Sequence, residues 1–160
     1  MPVQVKGLTG VIAVAADYCH TVALKGDGTV WTWGKAGYTP ARIKGLSGVV
    51  AIAGSLALKA DGTVWAWTSS STPEQIKGLS GVAAIAAGEN HYVALKEGGT
   101  VWTWGHNLFG KLGDNTTRAR TIPGQVAGLS GVVAVAVTYS ATLAIKDNGT
   151  VWAWGQWSWE

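Results

Sequence analysis

Four copies of one short signature divide this chain: Gly7-Leu8-Thr9-Gly10-Val11, Gly45-Leu46-Ser47-Gly48-Val49, Gly78-Leu79-Ser80-Gly81-Val82 and Gly128-Leu129-Ser130-Gly131-Val132. A recurrence of this size constrains the fold more than any other feature. Each unit must be one supersecondary structure, too small to bury its own faces, that stacks on its neighbours. Five residues before each leading glycine stands a proline, at Pro2, Pro40, Pro73 and Pro123, and these are all four prolines of the 160 residues. One chain of this length is one domain, with repeats at about 7–44, 45–77, 78–127 and 128–160 plus 1–6.

Each signature runs into an alternating apolar segment such as Val11-Ile12-Ala13-Val14-Ala15-Ala16. A second follows, such as Thr21-Val22-Ala23-Leu24-Lys25, and a third, such as Val30-Trp31-Thr32-Trp33. All read as strands. Between the second and third lie Asp27-Gly28, Asp61-Gly62, Gly98-Gly99 and Asn148-Gly149, dipeptides that predict type I′ hairpins. The stretch from each proline to the next leading glycine predicts a short fourth strand, on an edge because proline lacks the ladder N–H. The third strand places its two tryptophans on one face, at Trp31/Trp33, Trp65/Trp67, Trp102/Trp104 and Trp152/Trp154. The first strand places alanines together, as at Ala13/Ala15 and Ala134/Ala136. Small residues let strands crowd around an axis while indoles fill the widening gap outside. The prediction is an all-β β-propeller of four blades per chain, each a four-stranded antiparallel sheet.

The pattern G-L-[ST]-G-V-x-A-[VI]-A, followed by H-T-V-A-L-K-x-D-G-T-V-W-T-W-G, resembles the regulator of chromosome condensation repeat, and the resemblance covers nearly the whole chain. It implies a propeller, usually of seven blades, that binds proteins and is not an enzyme. Paired tryptophans in every copy look like the bacterial versions. The chain departs from the pattern in having four copies and a shortened second one, 24 residues from Gly45 to Thr68 against 28 in the others. Residues 106–122, after copy three, form the one long connection and resemble the family's loop at that place.

Composition narrows the chemistry. Charged residues are 13% and the net charge of +3 is scattered singly, which argues against a nucleic-acid face. Cys19 is the single cysteine, so no intrachain disulfide or thiolate metal cage is expected. No basic leader or apolar run at the start suggests a secretory signal. The uncharged stretch 121–145 is long enough to cross a bilayer, but its glycines, proline and polar residues predict soluble strands, with no membrane insertion. Localisation is left open.

His20 and His91 share one repeat position and could be imagined as a metal or acid–base pair. Copy four has Ala141 there and copy two has lost the position, so a hydrogen bond to loop backbone is the favoured reading. Asp27 and Asp61 are solitary and suit turns better than calcium. No cofactor and no catalytic residues are expected. Partner-binding candidates are His106, Asn107, Phe109, Lys111, Arg118 and Arg120 in the long loop, with Trp157 and Trp159 beyond the last repeat. The leading function is a non-catalytic binding or assembly module for a protein or glycan. Alternatives are a tryptophan-based ultraviolet sensor, whose Gly-Trp-Arg-His-Thr motif is absent, an enzyme using His20 and His91, and nucleotide exchange on a small GTPase.

Copy four carries no proline strand after it, whereas residues 2–6 precede copy one. Joined on paper, the ends give a leading-glycine spacing of 39 beside the internal 38, 33 and 50. Residues 2–6 are therefore expected to pair with residues 151–154. Within one chain this closes a four-bladed ring at about 90° per blade, and between two chains an eight-bladed homodimer by strand exchange at about 45°. Shallow wedge angles favour the dimer, and a donation that never closes gives a filament.

Overall fold

The computed structural model describes residues 1–17, 20–34, 37–68 and 72–156. It is all β. Sheet one holds β1 (Val11–Ala16), β2 (His20–Lys25), β3 (Val30–Gly34) and β4 (Gly37–Arg42). Sheet two holds β5 (Val49–Ala53), β6 (Leu56–Lys59), β7 (Val64–Ala66) and β8 (Glu74–Gln75). Sheet three holds β9 (Val82–Ala87), β10 (His91–Lys96), β11 (Val101–Gly105) and β12 (Arg120–Gln125). Sheet four holds β13 (Val132–Val137), β14 (Ala141–Lys146) and β15 (Val151–Gly155). Every pairing is antiparallel between sequence neighbours, so each repeat folds into a local meander.

The proline strands form where copies one to three predict them, on the sheet edge. Pro40 and Pro123 lie inside β4 and β12, at places where the ladder skips: Thr32 pairs with Ala41 and then Gly34 with Gly37, and Thr103 pairs with Gly124 and then Gly105 with Arg120. The irregularity spares the ring the N–H it cannot give.

The hairpins differ from expectation. Gly28 has φ of 75°, but Asp27 stays in the ordinary negative region. Gly28 N donates to Lys25 O at 2.9 Å and Lys25 N donates to Thr29 O at 3.0 Å, and the other three copies repeat both bonds. These are three-residue loops ending in a left-handed glycine, not type I′ turns. The aspartate then turns its carboxylate onto its own loop: Asp27 Oδ1 accepts from Thr29 N at 3.0 Å and from Thr29 Oγ1 at 2.6 Å, and Asp61 does the same with Thr63. Those donors hold both carboxylates below the usual range. A turn role accounts for both groups.

The core is three apolar seams between successive sheets. Val22, Leu24 and Val30 pack on Ile43, Leu46, Val49 and Trp67. Leu56, Leu58 and Val64 pack on Leu79, Val82 and Trp104. Val93, Leu95 and Val101 pack on Val126, Leu129 and Val132. Fully burying such a side chain is worth about 1.5–3 kcal/mol, so the seams dominate stability. The alanines of the first strands border these seams as expected.

The tryptophans divide their labour. Trp67 and Trp104 are buried, while the first indole of each pair is partly exposed and lies beneath a lysine, at 4.1 Å for Lys59 over Trp65 and 4.3 Å for Lys96 over Trp102. Its N–H donates to the turn threonine, as from Trp65 Nε1 to Thr63 Oγ1 at 3.1 Å. Core filling thus describes the second indole of a pair better than the first.

Among the described residues no closed sheet is formed. Residues 1–5 form no strand, Met1 and Val3 are exposed, and among the described residues β15 pairs with β14 alone. Four strands were expected in the fourth blade, the last from residues 2–6 of the same chain or of another; among the described residues the sheet has three.

Candidate partner-binding loop

Residues 106–119 leave β11 and return to the edge strand β12, and the loop owes its form to three side chains first read as partner-binding. Asn107 is buried. Its amide donates to Asp114 Oδ1 at 3.0 Å and to Thr116 O at 2.9 Å, and its Oδ1 accepts from Leu112 N at 2.9 Å. Asp114 accepts from Thr116 as well; burial pushes its carboxyl up, and the hydrogen bonds from Thr116 and Asn107, with the charge of Arg120, outweigh it and hold the carboxyl below the usual range. Arg120 donates through Nη2 to Thr103 O at 3.2 Å and Gly124 O at 3.0 Å, with Nη1 3.6 Å from Asp114.

Lys111 reaches the next blade. Its ammonium donates to Tyr139 O at 3.2 Å, and its carbonyl accepts from Thr142 Oγ1 at 2.8 Å and Trp154 Nε1 at 3.0 Å. Burial lowers its pKa, with Glu89 opposing. Asn107, Lys111 and Arg120 are thus internal braces, which narrows the surface available to a partner.

What the loop presents is His106 and Arg118, exposed, and Phe109, half-buried. Leu108 and Ile122 are exposed too; they escaped the sequence reading because isolated aliphatics in a loop carry no pattern. Phe109, Arg118 and Trp154 border an open groove of about 670 Å³. Trp157 and Trp159 lie outside the described residues.

A second concavity of about 390 Å³ gathers the corners after the first strands, including Asp17, Ser55, Glu89 and Tyr139. Ser55 Oγ donates to Asp17 Oδ2 across 2.7 Å. Sequence reasoning missed it because these corners share an address without sharing a residue type.

His91 is fully buried, with Nε2 3.2 Å from Thr142 Oγ1. Thr142 gives its own proton to a carbonyl, so Nε2 carries the imidazole hydrogen and donates, leaving Nδ1 without a partner. The partner is a side chain of the next blade, not the loop backbone expected. Burial, and then the charge of Lys111, lower its pKa from 6.5 to about 4. Among the described residues the Nε2 of His20 likewise has no partner. Among the described residues no three His, Cys, Asp or Glu side chains converge to hold a metal, and no helix is long and apolar enough to cross a membrane.

Antiparallel sheets packed seam to seam in chain order, with small first strands and indole-bearing third strands, define a β-propeller repeat protein. Models of the Regulator of chromosome condensation (RCC1) repeat match residues 82–111 and 98–145, so the third and fourth copies are similar to that repeat. No protein with a curated description matches it. Among solved structures, Prp20p of Saccharomyces cerevisiae is 25% identical with a TM-score of 0.79, over 91% of this chain and 44% of its own. Human WBSCR16 is 23% identical with a TM-score of 0.74, over 91% of this chain and 47% of its own. The computationally designed Ika4 is 21% identical with a TM-score of 0.57, over 97% of this chain and 99% of its own. The chain therefore spans less than half the length of the two natural propellers.

Proposed function

We propose that this chain is a non-catalytic binding module that docks a protein partner on the loop of residues 106–122. One observation carries the reading: the chain's one long connection is braced from inside by Asn107, Lys111 and Arg120, so Phe109, Arg118 and His106 are presented on an ordered surface. Loops on rigid scaffolds that are ordered before binding lose little entropy on docking. Prp20p, described with its binding to Gsp1p and histones, supports protein over glycan as the partner class. The groove's mixture of Phe109, Trp154 and Arg118 suits a peptide with an apolar anchor and a carboxylate.

A displayed peptide library and a glycan array test this. The expected result is enrichment of peptides joining an apolar residue to an acidic one, with Phe109→Ala and Arg118→Glu each weakening them at least about tenfold. Selected peptides that bind the double variant equally well would contradict the site, and hits confined to the glycan array would move the partner class.

Nothing favours the ultraviolet sensor: the first indole of each pair is covered by a lysine, and the ring stack among the described residues is Tyr92 on Trp104, with centroids 5.6 Å apart. The enzyme and exchange-factor alternatives gain no specific observation.

Residues 2–6 are proposed to add the fourth strand to β15 and so close a ring. The register follows from the other copies, which pair Trp31 with Arg42, Trp65 with Gln75 and Trp102 with Gln125. Gln4 then lies opposite Trp152.

A further inference from the structure

The three seams use one set of repeat positions, and the chain carries a fourth copy of each half of that set uncovered. The leading half in the seams is Val22/Leu24/Val30, Leu56/Leu58/Val64 and Val93/Leu95/Val101. In sheet four the same addresses are Leu143, Ile145 and Val151. Val30, Val64 and Val101 are each 0% exposed, whereas Val151 is 66% exposed, and Ile145 is 42% exposed where Leu58 is 3%. The following half shows the same break at the other end: Val49, Val82 and Val132 are each 4% exposed whereas Val11 is 37%, and Ile43 and Val126 are 9% and 6% exposed whereas Val5 is 40%.

Backbone groups repeat the break. Each signature valine N–H donates to the turn glycine of the preceding sheet, Val49 to Gly28 at 3.2 Å, Val82 to Gly62 at 3.1 Å and Val132 to Gly99 at 3.0 Å. Edge-strand N–H groups donate likewise, Ile43 to Val30 O and Ile76 to Val64 O at 2.8 Å, and Val126 to Val101 O at 2.9 Å. The fourth members of these series, Val11 N with Gly149 O and Val5 N with Val151 O, are not joined within the chain. An added Cβ at Gly28, Gly62 or Gly99 would press on the next sheet's backbone at 3.1–3.2 Å, while at Gly149 it would meet nothing.

We propose that a second copy of this chain covers both faces. Sheet one and residues 2–6 of one copy dock on sheet four of the other, and reciprocally, so that two copies close an eight-bladed ring through two identical head-to-tail contacts. This deepens the ring reading above and is independent of the loop's partner. The occupant follows from complementarity: each end bears the residue types that the other half already packs against three times in the chain. Among the described residues no apolar cluster joins sheet one to sheet four within the chain. The blades superpose with a TM-score of 0.79 on 44% of Prp20p, and steps drawn from a propeller of that size leave four blades as an open arc.

Sedimentation equilibrium across a dilution series, with circular dichroism as the check on folding, tests the proposal. The expected wild-type species has twice the 16.6 kDa mass of the chain. V11E and V151E, at positions exposed in the single chain, should keep the wild-type spectrum and weaken assembly at least about thirtyfold each. Because the contact is head-to-tail, mixing the two variants should give hetero-pairs, since each retains the face the other has lost. A wild-type chain monomeric at every concentration, species that lengthen without limit, or variants that self-associate like the wild type would overturn it. Deleting residues 1–6 separates the two readings: dimers that persist refute the strand pairing and leave the face-to-face contact standing.

Discussion

Burial of the His91 imidazole sets its ionisation against the fold. Its pKa in the folded chain is about 4 against an ordinary 6.5. Between those values the unfolded chain binds a proton that the folded chain refuses. The His91 contribution to stability therefore falls as pH is lowered from about 6.5 to about 4 and is level below that window. The full effect is on the order of 3 kcal/mol. Urea midpoints measured across this window should slope for the wild type and flatten for His91→Gln; equal slopes would contradict the assignment. The sequence placed His20 and His91 at one address, yet His91 takes its partner from Thr142, 51 residues on. A repeat pattern reveals which positions are equivalent. It does not reveal which side chain of the next copy each will meet.

Strands and seams were the most legible level, because alternation and seam position are local properties repeated in every copy. The hairpins were less so. Asp-Gly suits a type I′ turn, but the Lys25–Thr29 pairing adds a residue to the loop and lets the aspartate bond Thr29, which lifts the need for a left-handed aspartate. The loop was half legible: length marked it, while the pattern of charges could not show that Lys111 and Arg120 point inward. Seam burial gives a direct test on one sheet. Leu58→Ala removes a side chain buried between sheets two and three and should cost about 2–5 kcal/mol in chemical denaturation. Val50→Ala, on the exposed side of β5, should stay within about 0.5 kcal/mol. Equal losses would mean that the seams do not carry the stability.

At the scale of the whole molecule the repeat arithmetic located the open seam but not its occupant, since a wrapped spacing is satisfied equally by a chain's own end and by a second copy. Exposure marks the seam in the single chain: Val151 is uncovered where its three equivalents have none of their surface exposed. The central claim is that one interface, used three times inside the chain, is used a fourth time between chains. Amide hydrogen exchange at the signature valines measures this most directly. At assembling concentration the Val11 and Val5 amides should be protected to the same degree as Val49 and Val126, and Val11 should lose that protection on dilution while Val49 keeps it. A Val11 amide that exchanges freely at every concentration, beside a protected Val49, would contradict the account.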